Sequence, residues 1–290
     1  MDLKTILPYS VAMITPFGED ERIDENGIVR MLEYYKANHV PALLLSGSTG
    51  EQHSLSVEER IHLYRTVKRA AHNNFSLYAG VAAVRTRDAA KLAWEAEQAG
   101  IDAIMLGFPP YVRPNQREAS LYVESVCSAT SLPIMLYNNP IRTGFNLEPD
   151  TLIGLVDRFP QIVALKETGD SSQAQRIRTL LGDKFQLFSG FDLTIVDYFK
   201  KGYDGLTSVA GNLYPNEMNA IVTHLREGQH ELANTELKQL QPIMEKIGQI
   251  GWIRVIRHLF AEQGLIKPAC REPLTPLTLE EVDLLKEIEY

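Results

Sequence analysis

Ile162-Val163-Ala164-Leu165-Lys166-Glu167-Thr168 is the stretch on which the reading of this chain turns. Strands covered on both faces read as near-continuous apolar runs, and Ile162 to Leu165 follows that rule until Lys166 breaks it. An amine on a buried strand loses hydration when charged, so burial lowers its pKa and leaves free, nucleophilic amine near neutral pH. Such a lysine can attack a carbonyl and form a Schiff base. Taken alone, the strand fits a plainer reading better, in which Lys166 reaches water along its flexible stem or pairs with Glu167.

Working outward, short apolar runs alternate with segments of helical period eight times. Strands are expected at 10–15, 42–45, 76–81, 103–107, 133–137, 162–168, 185–188 and 205–210. Helices fall between them, and Ser56-Val57-Glu58-Glu59 has the form of a capping box opening one that runs to about His72. The stretch Phe108 to Pro114 is too proline-rich for a regular element. Eight strand-helix units suit a closed TIM (β/α)8 barrel better than an open doubly wound sheet of five or six strands. From 228 to 290 the pattern is purely helical with no linker before it, so we expect a barrel over 1–227 and a C-terminal helical extension packed on it or on a neighbouring subunit.

Composition narrows the function. The 290 residues are 44% hydrophobic and 23% charged with a net charge of −8, which suits a folded chain and excludes the basic surface that nucleic-acid binding needs. Cys127 and Cys270 make neither a disulfide framework nor a CxxC metal signature, and a reducing cytoplasm is expected. Residues 1–8 lack the pattern of a signal peptide, and no apolar run approaches the roughly 18 residues of a membrane span. The seven histidines show no HxH or HExxH pairing, so no metal is expected, and no other cofactor is called for.

In a TIM barrel the chemistry sits where strands exit at their C-terminal ends. Strand two delivers Gly47-Ser48-Thr49-Gly50-Glu51, a turn whose amides can face an anion, although an ordinary turn has the same composition. It matches neither a P-loop nor a GxSxG elbow, so nucleotide binding and a serine hydrolase are poor readings. Strand five delivers Tyr137 beside the strand of Lys166, where a phenol can pass protons to and from a carbinolamine; the alternative is a packed aromatic. Arg142 follows, a fork of donors suited to a carboxylate, unless it is mere surface charge.

Together, Gly47-Ser48-Thr49-Gly50-Glu51, Tyr137-Asn138-Asn139-Pro140 and Lys166-Glu167 resemble the dihydrodipicolinate synthase and N-acetylneuraminate lyase superfamily of class I pyruvate-dependent aldolases. The resemblance implies a homotetramer built from tight dimers, with pyruvate bound as an imine on Lys166 and Tyr137 as proton shuttle. Ser48 and Thr49, with Gly47, would hold the pyruvate carboxylate. Tyr111 would cross the dimer interface to complete a relay with Tyr137 and Ser48. Gly190, Asp192 and Val209 would read the second substrate at the exits of strands seven and eight.

The substrate signals divide. Arg142 looks like the synthase residue that holds aspartate semialdehyde, whereas Gly190-Phe191-Asp192 is closer to lyases acting on N-acetylneuraminate or 2-keto-3-deoxy sugar acids. A non-catalytic barrel that merely binds a 2-oxo acid is the remaining reading. Lysine-inhibited synthases carry effector ligands at places that align here with Val57, Arg60, Val84 and Pro110, which cannot replace them, so inhibition by free lysine is not expected.

Overall fold

The computed structural model describes residues 6–286. Eight strands form the wall: β1 Tyr9–Ala12, β2 Ala42–Leu45, β3 Ser76–Gly80, β4 Ala103–Gly107, β5 Ile134–Asn138, β6 Ile162–Glu167, β7 Gln186–Ser189 and β8 Gly205–Ser208. Each pairs in parallel with the next, and β8 closes onto β1. Around them run α1 Glu25–Ala37, α2 Val57–Ala71, α3 Thr86–Gln98, α4 Gln116–Cys127, α5 Pro140–Thr143, α6 Pro149–Arg158, α7 Ala174–Leu181, α8 Ile195–Lys200 and α9 Pro215–Arg226. The extension contributes α10 His230–Ile250, α11 Trp252–Glu262 and α12 Leu279–Lys286.

The alternation of side chains along each strand sorts the residues between two cores. Ala12, Leu44, Met105, Met135, Ala164 and Phe188 fill the inside of the barrel. Their neighbours Val11, Leu45, Ile104, Leu136, Leu165 and Leu187 face the helices in the larger cluster. Continuous apolar strands follow directly, because both faces are covered.

Ser56 caps α2 as expected, accepting from the Glu59 amide at 3.1 Å while Glu59 accepts from the Ser56 amide at 2.8 Å. A second capping box, Asn115 with Glu118, opens α4 and was not anticipated. Most strand ends fall within one residue of expectation, and three features differ by more. The first strand stops at Ala12, and 13–15 leave it on the way to the β2 exit turn, where Thr15 donates to the Gly50 carbonyl at 2.7 Å. The last stops at Ser208, because Val209 turns into a 3-10 segment. After β5 the chain forms the short helix α5, with Pro140 at its first turn and Asn139 as its cap.

Of the extension, α10 lies along α9 and α8 and α11 packs back on the barrel, with Phe260 against Tyr34 at 5.3 Å between ring centroids. No described helix is long and apolar enough to cross a membrane.

Candidate active site

A cavity of about 820 Å³ opens at the C-terminal ends of the strands. Lys166, Tyr137, Ser48, Thr49, Arg142, Gly190, Asp192 and Val209 all lie on its wall. Strand parity places the amine: Lys166 shares the inward face of β6 with Ala164, whereas Leu165 and Glu167 point outward. Tyr137 is its register partner on β5, and Lys166 Nζ sits 4.7 Å from the Tyr137 ring centroid. Lys166 is 5% exposed, so neither escape to bulk water nor pairing with Glu167 accounts for it.

Burial pushes the Lys166 amine below its ordinary value, and Arg142 at the mouth adds to that, while Tyr137 and Asp192 oppose it. The amine therefore spends more time as free base than a surface lysine does. Asp192 is raised in turn by burial, against the hydrogen bonds that stabilise its anion. Both its oxygens are engaged by the β8 exit: Ser208 Oγ donates to one, and the Val209 amide donates to the other at 3.1 Å. It thus joins β7 to β8 beside Lys166.

Tyr137 is held from its own loop. Asn139 Nδ2 donates to the Tyr137 hydroxyl at 2.6 Å, and Asn139 Oδ1 accepts from the Arg142 amide at 3.1 Å. One side chain therefore fixes both the phenol and the turn that carries the arginine. Ser48, Tyr137, Asn139 and Arg142 also border a second cavity of about 380 Å³, which includes Pro110 in its wall.

Two expected residues stand apart. Gly47 is on neither wall; it lies beneath the turn, where an added Cβ would meet Leu44 Cδ2 at 3.2 Å. Tyr111 is 95% exposed, with left-handed backbone at φ 73°, and reaches neither cavity within its own chain.

The comparisons with known proteins agree with the fold. The model of the dihydrodipicolinate synthetase family matches residues 6–288. The chain belongs to that family. It is 33% identical over 273 residues to the 4-hydroxy-tetrahydrodipicolinate synthase of Bacillus subtilis (strain 168), covering 94% of each chain. The structure of the synthase from Methylacidiphilum fumariolicum SolV superposes with a TM-score of 0.91 at 31% identity, covering 98% of this chain and 94% of that one. The dihydrodipicolinate synthase from Acinetobacter baumannii, solved in complex with pyruvate, gives 0.91 at 29% identity, with 98% and 97% covered.

Within this dihydrodipicolinate synthetase family fold, several buried polar residues escaped sequence reading. Glu167, behind the wall, accepts from Asn138 Nδ2 at 3.0 Å and from the Gly169 amide, and Asn138 Oδ1 accepts from the Leu147 amide at 2.9 Å. These bonds tie the β5 and β6 exit loops together. Met244, Gly248 and Trp252 bring the extension into the cavity wall, a contribution that helical periodicity in the tail could not locate.

Gly190 allows the lysine its place, since an added Cβ would lie 2.7 Å from Lys166 Cε and would collide with Thr168 Cγ2. Gly190→Ala should fold yet lose on the order of 10²-fold in kcat/KM, as expected for a misplaced reacting group, measurable by steady-state assay beside circular dichroism. Burial also pushes the Glu167 carboxyl up to about 7 from its ordinary 4.5. An acid whose pKa rises on folding contributes stability that is fully present below 4.5 and lost as pH rises through 7, by up to about 3 kcal/mol. The Tm of the unmodified chain should therefore fall by several degrees relative to Glu167→Gln between pH 4.5 and pH 8 in thermal melts.

Proposed function

We propose that this family member is a 4-hydroxy-tetrahydrodipicolinate synthase, condensing pyruvate with aspartate semialdehyde through an imine on Lys166. The observation that carries the reading is the Lys166 amine, buried yet open to the cavity and 4.7 Å from the Tyr137 ring centroid. The free amine adds to C2 of pyruvate, and the carbinolamine loses its hydroxyl as water, with Tyr137 carrying the proton. The hydroxyls and amides of Ser48 and Thr49 receive the pyruvate carboxylate.

Loss of a C3 proton then gives an enamine, whose carbon attacks the aldehyde as the aldehyde oxygen takes a proton. The semialdehyde amino group displaces the Lys166 amine from C2, which closes the ring and frees the enzyme. Arg142 holds the acid group of the incoming aldehyde at the mouth. Tyr111 would serve a neighbouring subunit's relay in a dimer of dimers, which its full exposure allows.

Incubation with pyruvate and borohydride should add about 72 Da, mapping to Lys166 by peptide mass analysis. Absence of the adduct would leave a barrel that only binds its ligand. Arg142→Ala should keep the adduct but raise KM for aspartate semialdehyde roughly 10- to 100-fold, the worth of a charge-assisted bond. Turnover of N-acetylneuraminate or a 2-keto-3-deoxy sugar acid in place of the condensation would transfer the assignment to the lyase branch.

The Arg60 guanidinium is committed to Ser46 Oγ and the Ala82 carbonyl, both at 2.7 Å, and is buried. It offers nothing to an amino-acid effector. Free lysine at millimolar concentration should leave the condensation rate unchanged in a titration.

A further inference from the structure

Behind the turn that presents Ser48 and Thr49 lies an ion pair with no counterpart in the chemistry above. Glu51 is 0% and Arg257 2% exposed by side chain, so both charges are out of water. Arg257 Nε donates to Glu51 Oε1 at 2.9 Å, and its Nη2 donates to the same oxygen. Nη2 also donates to the Thr15 carbonyl at 2.6 Å, and Thr15 Oγ1 donates to the Gly50 carbonyl at 2.7 Å. The third nitrogen, Nη1, donates to the Ala269 carbonyl at 3.0 Å. The Phe17 ring covers the guanidinium, with Cζ 4.8 Å from its centroid.

The turn has anchors at its two ends: Arg60 Nε donates to Ser46 Oγ at 2.7 Å, and the Ser54 amide donates to the Glu51 carbonyl at 2.9 Å. Between those ends, the Glu51 amide donates to the Ser48 carbonyl at 3.1 Å and the Gln52 amide to the Gly47 carbonyl at 3.2 Å, both long. Ser46 and Glu51 both sit in left-handed backbone, at φ 51° and 58°, which side chains other than glycine adopt at a cost. Such a conformation persists only where the surroundings over-determine it. Arg60 supplies that at Ser46, and Arg257 supplies it at Glu51: one rigid guanidinium grips the Glu51 side chain directly and the Gly50 peptide through Thr15.

We infer that Arg257, through Glu51 and Thr15, is a positioning residue for the Ser48-Thr49 carboxylate cradle, so that α11 and the 265–271 segment set the affinity for the keto acid. Arg257 touches neither cavity. Lysine would not serve, because a single ammonium lacks the fork that reaches the carboxylate, Thr15 and Ala269 together. The inference rests on the imine reading and refines it.

Two variants and one measurement on the unmodified protein test it. Arg257→Lys should raise KM for pyruvate about tenfold with kcat within about threefold, because the cradle and not the amine is displaced. Glu51→Gln combined with Arg257→Met removes both charges, leaves no ion unpaired, and should show the same split. A folded variant of either kind with unaltered KM for pyruvate overturns the inference, as does an equal loss in kcat with KM unmoved.

Hydrogen exchange needs no variant. Trapping pyruvate on the unmodified chain with borohydride should slow exchange in 48–54 and also in 265–271, which lines neither cavity. Slowing confined to 48–54 would sever the link. If the unmodified chain forms no adduct, the imine reading itself has failed; if it forms one and the tail segment and KM stay put, only the role of Arg257 has.

Discussion

The Lys166 amine is enclosed by a ring of strands, where keeping a charge out of water costs several kcal/mol and the neutral form is favoured accordingly. Asp192 and Tyr137 moderate that cost without abolishing it, while Arg142 at the mouth adds to it. Asp192 lies near enough to oppose the loss of charge, but its own oxygens are already taken by Ser208 and Val209, so it forms no close salt bridge that would hold the ammonium permanently. The Tyr137 ring adds a polarisable face at 4.7 Å. The amine is thereby kept titratable, which is the condition a Schiff-base nucleophile must meet.

Parity in the strands converts this single burial into an organised site. On β5 and β6 the inward residues Tyr137 and Lys166 pair in register, and the outward residues Asn138 and Glu167 pair directly behind them. The inner pair carries reactive groups; the outer pair spends its hydrogen bonds on Gly169 and Leu147, fixing the two exit loops. A slip of one residue would exchange the pairs, putting the carboxylate in the cavity and the amine among the helices. The same register that closes the barrel therefore sets the chemistry.

What the sequence made legible were features with a short period. Apolar runs located all eight strands within a few residues, the Ser56 capping box marked α2, and the break at Lys166 marked the cavity. Features made by long-range pairing were hidden. Glu51 and Arg257 are 206 positions apart, and each by itself reads as surface charge. The role of Asn139 as a brace for Tyr137 and Arg142 depends on the helical turn α5, too short to give a periodic signal. Asp192 was readable as a strand-exit acid, but not as one bound to the neighbouring strand.

Arg142 gives the charge arrangement its direction. It is exposed, on the wall of the cavity, and its field is among the causes that lower Lys166, whereas the negative charge of Asp192 lies deep and is satisfied internally. An anionic keto acid approaching from solvent meets the positive group first and the amine second. On the proposed reading, a keto acid seated on Ser48 and Thr49 leaves Arg142 free for a second carboxylate, so one exposed cation would favour the arrival of each substrate in turn. Its placement on α5, braced by Asn139, keeps that cation at the mouth, away from the amine whose charge it opposes and from the buried acid that Ser208 and Val209 already hold.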